Sequence, residues 1–108
     1  MGAETFYNSV IGKNAEEAFR DAVEQAQYDY GHAGYTGTIA EKESFVMVPF
    51  NGEATLEYAE KYAEDLLWHD DPRVGDKWGP AGCIELHDPR IQLKDGQHAY
   101  LFFGNAPS

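Results

Sequence analysis

"YTGTIAEKESFVMVPF", residues 35–50, is the stretch whose reading decides the fold. Tyr35, Gly37 and Ile39 alternate with Thr36, Thr38 and Ala40. A period of two is the mark of a strand. Phe45 to Val48 follows, apolar on both faces, as expected of a central strand covered on both sides or of one lying in an interface. Pro49, which has no amide hydrogen to give a ladder, ends it. Only Lys42 to Ser44 separate the two runs, and so short a connection predicts an antiparallel hairpin.

Two amphipathic helices flank that pair. In "NAEEAFRDAVEQAQYDYG", Asn14 is a good N-cap, with Glu17 three residues on. Ala15, Ala18, Phe19, Ala22, Val23, Ala26 and Tyr30 recur at spacings of three and four and make one apolar stripe. Gly31 suits the positive-φ position that closes a helix. In "EATLEYAEKYAEDLLW", Leu56, Ala59, Ala63, Leu66 and Leu67 form a second stripe flanked by Tyr58 and Tyr62. Asn51 or Thr55 is placed to cap it, and Pro72 stops it soon after Trp68.

Three more strands complete the pattern. "ETFYNSVIGK" at the start alternates, "CIELH" sets Ile84 and Leu86 against Cys83, Glu85 and His87, and "HAYLFFG" closes the chain. The expected order is β-α-β-β-α-β-β, an α+β fold. It implies a mostly antiparallel sheet of four or five strands with two helices on one face. The 108 residues make one domain, 1–108, large enough to bury a core without disulfides or structural metal. Helices on one face would leave the other sheet face, rich in Phe, Tyr and Val, for a homodimer.

Charge bounds the partners. Nineteen acidic and eight basic side chains give a net charge of −11. That argues against nucleic acid and anionic membranes, which need clustered Lys and Arg. It permits solubility alone, a basic protein partner or adaptation to high salt. Cys83 is the lone cysteine, so a reducing compartment is the simpler setting. No apolar run approaches a membrane span and the N-terminus lacks a signal-peptide pattern, so a cytoplasmic protein is expected.

The loop "GHAGYTGT", residues 31–38, invites a phosphate-loop reading. Phosphate loops run from strand into helix, where the helix N-terminus is positive. This loop leaves a helix C-terminus, the wrong pole, and no Gly-Lys-Ser or Gly-Lys-Thr follows. Gly31 is accounted for as a cap and Gly34 as a turn. His32, Tyr35, Thr36 and Thr38 are not, and with Trp78 in the loop "DKWGPAG" they form the candidate ligand-binding set. An anionic nucleotide would need Arg73, Lys77 or Arg90 to converge there.

Catalytic chemistry is the competing reading. "HDD" at 69–71 and "ELHD" at 85–88 carry ligand types suited to Zn²⁺, Mn²⁺ or Fe²⁺. A small metal-dependent hydrolase would use Glu85, His87 and His69, with Asp71 as a further metal ligand and His32 as an alternative partner. The spacing matches no established metal motif, and both segments also read as turns. Cys83 lacks the electropositive setting a nucleophilic thiolate needs and reads as a small buried hydrophobe. No cofactor is implied.

The runs at residues 18–49 and 70–86, and within them "GYTGTIAEK" and "DKWGPAG", resemble a set of small proteins of actinobacteria and their phages to which no activity is assigned. That resemblance implies a phage-encoded accessory or counter-defence protein, acting in the host cytoplasm on a host protein or a small polar molecule. A structural or assembly component is a further alternative.

Overall fold

A computed structural model of the chain describes residues 2–31 and 34–108. The elements are β1 (Ala3–Gly12), α1 (Ala15–Tyr30), a single 3₁₀ turn (Ile39–Glu41), β2 (Phe45–Met47), α2 (Leu56–Trp68), β3 (Ala81–Leu86) and β4 (His98–Pro107). The class is α+β, with two helices and one four-stranded sheet in the order β1-β4-β3-β2. The sheet is mostly antiparallel: β4 pairs antiparallel with both β1 and β3, while β2 runs parallel to β3. Among the described residues no helix is long and apolar enough to cross a membrane.

Both helices form where the apolar stripes put them. Asn14 Oδ1 accepts from Glu17 N at 2.8 Å, closing the first turn of α1. Gly31, at φ 78°, returns its amide to Gln27 O. Thr55 rather than Asn51 caps α2, its hydroxyl accepting from Tyr58 N. The buried positions, Ala18, Phe19, Ala22 and Ala26 on α1 and Ala59 and Ala63 on α2, lie within the expected stripes.

The helices lie on opposite faces of the sheet, not on one. α1 packs Phe19 and Ala22 on Phe6, Cys83, Tyr100 and Phe102. α2 packs Ala59 and Ala63 in a second core with Ile84, Leu86, Leu101 and Phe103. The cause is β4. From Ala99 to Gly104 it is buried on both sides, and Phe102 and Phe103 point into different cores. A strand apolar on both faces needs two covers, and each helix supplies a single stripe. The apolar sheet faces that suggested a homodimer are therefore covered largely within the chain.

Residues 35–50 also depart from the expected hairpin. Tyr35 to Ala40 is not a strand; it is a loop running into the 3₁₀ turn, and no hairpin joins it to β2. Thr38 Oγ1 accepts from Ala40 N and so caps that turn. β2 is covered on both sides, Phe45 by the α1 core and Val46 by the α2 core, but it is an edge strand, not a central one. α2 carries the chain from β2 to β3, and a crossover helix of that kind makes the pair parallel.

Candidate functional site

The loop before the 3₁₀ turn is held by its own polar side chains. Thr36 donates from its amide and from its hydroxyl to Glu41 Oε2, at 3.1 and 2.8 Å. With that hydroxyl proton committed, Thr38 Oγ1 donates to Thr36 Oγ1 across 2.7 Å. Both threonines of the candidate ligand set thus fix the turn, and both also line the groove between β1 and α1. Gly37, at φ 68°, seats its backbone against Glu4 and donates its amide to Pro107 O at 2.8 Å. The consequence is a fixed base for Tyr35.

A second anchor comes from Lys42. Its side chain is buried, with the residue only 4% exposed. Nζ donates to the backbone carbonyls of Asp76, Lys77 and Gly79 at 3.3, 3.2 and 2.9 Å. Burial lowers the ammonium's pKa, against an opposing pull from Asp76. Trp78 sits inside this ring of carbonyls, and its amide donates to Asp76 Oδ1 at 2.9 Å. Asp76 therefore shapes the loop through its side chain while its carbonyl takes part of the Lys42 charge.

The two anchored loops meet at Tyr35 and Trp78. The rings stand edge to face, centroids 5.5 Å apart and planes at 79°. Tyr35 is 51% exposed and Trp78 57%. Lys77 Nζ lies 5.6 Å from the Trp78 ring. Beside the pair is a cavity of about 310 Å³, whose wall includes Glu41, Glu43, Ser44 and Pro107. A rigid aromatic pair next to two carboxylates suits a partner surface that offers an apolar group and a cation together.

The structure brings Tyr35, Thr36, Thr38 and Trp78 to one corner and gives them unequal parts: the aromatics present a surface, the threonines support it. His32 lies outside the described residues. Lys42, Glu41 and Glu43 were missed. Lys42 read as a turn residue because period-two patterning ran up to it. The signal for it was a lone cation between the apolar Ile39 and Phe45 in a chain with few basic residues.

The hydrolase set does not assemble at one point. His69 Nδ1 is 2.9 Å from Asp65 O, within its own helix end. Asp71 is bidentate to Arg73, which holds its carboxyl below the usual range. Glu85 Oε2 lies 3.7 Å from both His87 Nε2 and His98 Nδ1 at the far end of β3. Among the described residues no three His, Cys, Asp or Glu side chains group as metal ligands would. Cys83 is fully buried, and burial with Glu85 and Glu16 nearby pushes its thiol up to about 12. Of the three cations that an anionic ligand would need, Lys77 lies at the aromatic corner, while Arg73 is tied to Asp71 and Arg90 to Asp88. No family model, curated protein or solved structure matches the chain.

Proposed function

We propose that the chain is a small acidic binding protein that acts through the Tyr35–Trp78 corner on a protein partner, without catalysis. The observation that carries this reading is the double anchoring of two half-exposed aromatics. Lys42 holds the Trp78 loop and the Thr36–Thr38–Glu41 network holds Tyr35. Side chains kept rigid while exposed lose little entropy on binding, which is how aromatic hot spots gain their affinity. The glycine-rich loop in this reading is scaffolding. The net charge of −11 favours a basic partner. The resemblance to small actinobacterial and phage proteins favours an accessory or counter-defence role in the host cytoplasm.

The test is affinity purification from cells that express the protein, comparing wild type with Tyr35→Ala and Trp78→Ala. Both variants should keep the wild-type melting temperature within a few degrees, since both side chains are about half exposed. Each should lose the co-purifying partner. A partner retained by both variants would overturn the assignment of the site.

A further inference from the structure

The strand edge on the far side of the sheet carries a second surface. β1 is ten residues long and is an edge strand. Its pairing with β4 runs without a break from Ala3↔Pro107 to Gly12↔His98, so no bulge twists the edge away. Ala3 to Gly12 contains no Pro and no Lys, the usual guards of an exposed edge. The opposite edge strand, β2, has only three residues.

The direction of the free backbone groups follows from one bond. Ser108 N donates to Gly2 O, and Gly2 and Ser108 continue the β1–β4 register. They are therefore a hydrogen-bonded pair. Antiparallel pairs alternate, so the even residues of β1 bond to β4 and the odd residues turn their amides and carbonyls outward. Among the described residues no backbone bond takes up these groups at Thr5, Tyr7 and Ser9, which present the free ladder.

That ladder borders a groove of about 650 Å³ between β1 and α1. The groove has an apolar floor that includes Phe6 and Ala22. Its charged residues are Glu4, Asp21 and Asp29, and neither Lys nor Arg lines it. A second copy of this chain would bring the same three acids and another −11 of charge to the contact. A basic segment meets opposite charge.

We propose that β1 takes an extended, Lys- or Arg-bearing segment of a partner protein as an added strand, seated in the groove between β1 and α1. The free groups of Thr5 to Ser9 hold the segment's backbone, and Asp21 and Asp29 select its basic side chains. At about 3.4 Å per residue the Thr5–Ser9 span matches a segment of roughly five residues. The inference shares with the reading above only the premise that the protein binds proteins. Its test leaves Tyr35 and Trp78 untouched, so either can fail alone.

The test uses the full chain and four peptides: acetyl-KTKVKTKV-amide, its two versions N-methylated at alternate residues in either register, and acetyl-ETEVETEV-amide. Titration calorimetry at low salt should show binding of the Lys peptide and none of the Glu peptide. One N-methylated version should bind at least tenfold more weakly, because its charge is unchanged and its ladder is blocked. Hydrogen exchange should slow at the Thr5, Tyr7 and Ser9 amides when the Lys peptide is bound. Asp21→Asn with Asp29→Asn should weaken binding severalfold. Three results would overturn the proposal. One is no binding of the Lys peptide. Another is equal binding of both N-methylated versions, which would mean attraction by charge alone. The third is a free protein that is already a dimer with those three amides protected, which would mean a second copy holds the edge.

Discussion

Replacing Lys42 with Met keeps the length of the side chain and removes the ammonium. Three carbonyls, of Asp76, Lys77 and Gly79, then lose their donor. Only the 2.9 Å bond to Gly79 lies at the preferred length, and a bond from a charged donor is worth about 2 kcal/mol. The two longer bonds add about 1 kcal/mol together. Against this, the buried ammonium no longer has to be kept out of water, which offsets part of that loss. The net loss is about 2 kcal/mol, or roughly 10 °C in melting temperature for a domain of this size. The assay is thermal unfolding by circular dichroism with a second readout at Trp78. In a Trp68→Phe background, where Trp78 is the only indole, Lys42→Met should raise acrylamide quenching at 25 °C while the helical signal holds. An unchanged melting temperature with unchanged quenching would refute the assignment of Lys42 as the loop's anchor.

Gly82→Ala should be among the most disruptive small changes. A Cβ at that position lies 2.8 Å from ring carbons of the fully buried Phe103, so about 2 kcal/mol or more of stability is lost, readable as a lower urea midpoint. Acid stability should depend on Asp88. Arg90, the Leu56 amide and the Arg90 amide hold its carboxyl well below the usual range. A folded-state pKa below the unfolded one stabilises fully above about pH 4 and is lost as pH falls toward the folded value. Asp88→Asn should therefore flatten part of the drop in stability below that pH, leaving the share due to Asp71; an unaltered acid profile would count against it. Cys83 should not react with a thiol reagent at pH 8 until urea unfolds the chain; rapid reaction of the native protein would contradict its burial.

The helices were legible because their signals are local. Asn14, Gly31 and the alanine stripes lie within the segments they shape. The strand assigned to Tyr35–Ala40 failed because alternation is a weak signal when side chains compete for the backbone. Thr38 and Glu41 stand three apart, the spacing of an N-cap and its partner, and their hydrogen bonds drew the segment into a 3₁₀ turn. The placement of the helices on two faces depended on β4, where Ala99, Leu101 and Phe103 alternate with Tyr100 and Phe102 and both sets are apolar. The site was legible as a list and not as roles. Tyr35 and Trp78 lie 43 positions apart in sequence and meet only because Lys42, read as part of a hairpin turn, reaches under the Trp78 loop.

The most direct test of the central claim is photocrosslinking in the cells that express the protein. Trp78→p-benzoylphenylalanine places the reactive ketone at the corner, and the same change at Trp68, 85% exposed at the end of α2, is the control. One dominant adduct is expected from position 78, competed away by the unmodified protein, and none from position 68. The same adduct pattern from both positions, or none from position 78 while the partner still co-purifies, would contradict that claim.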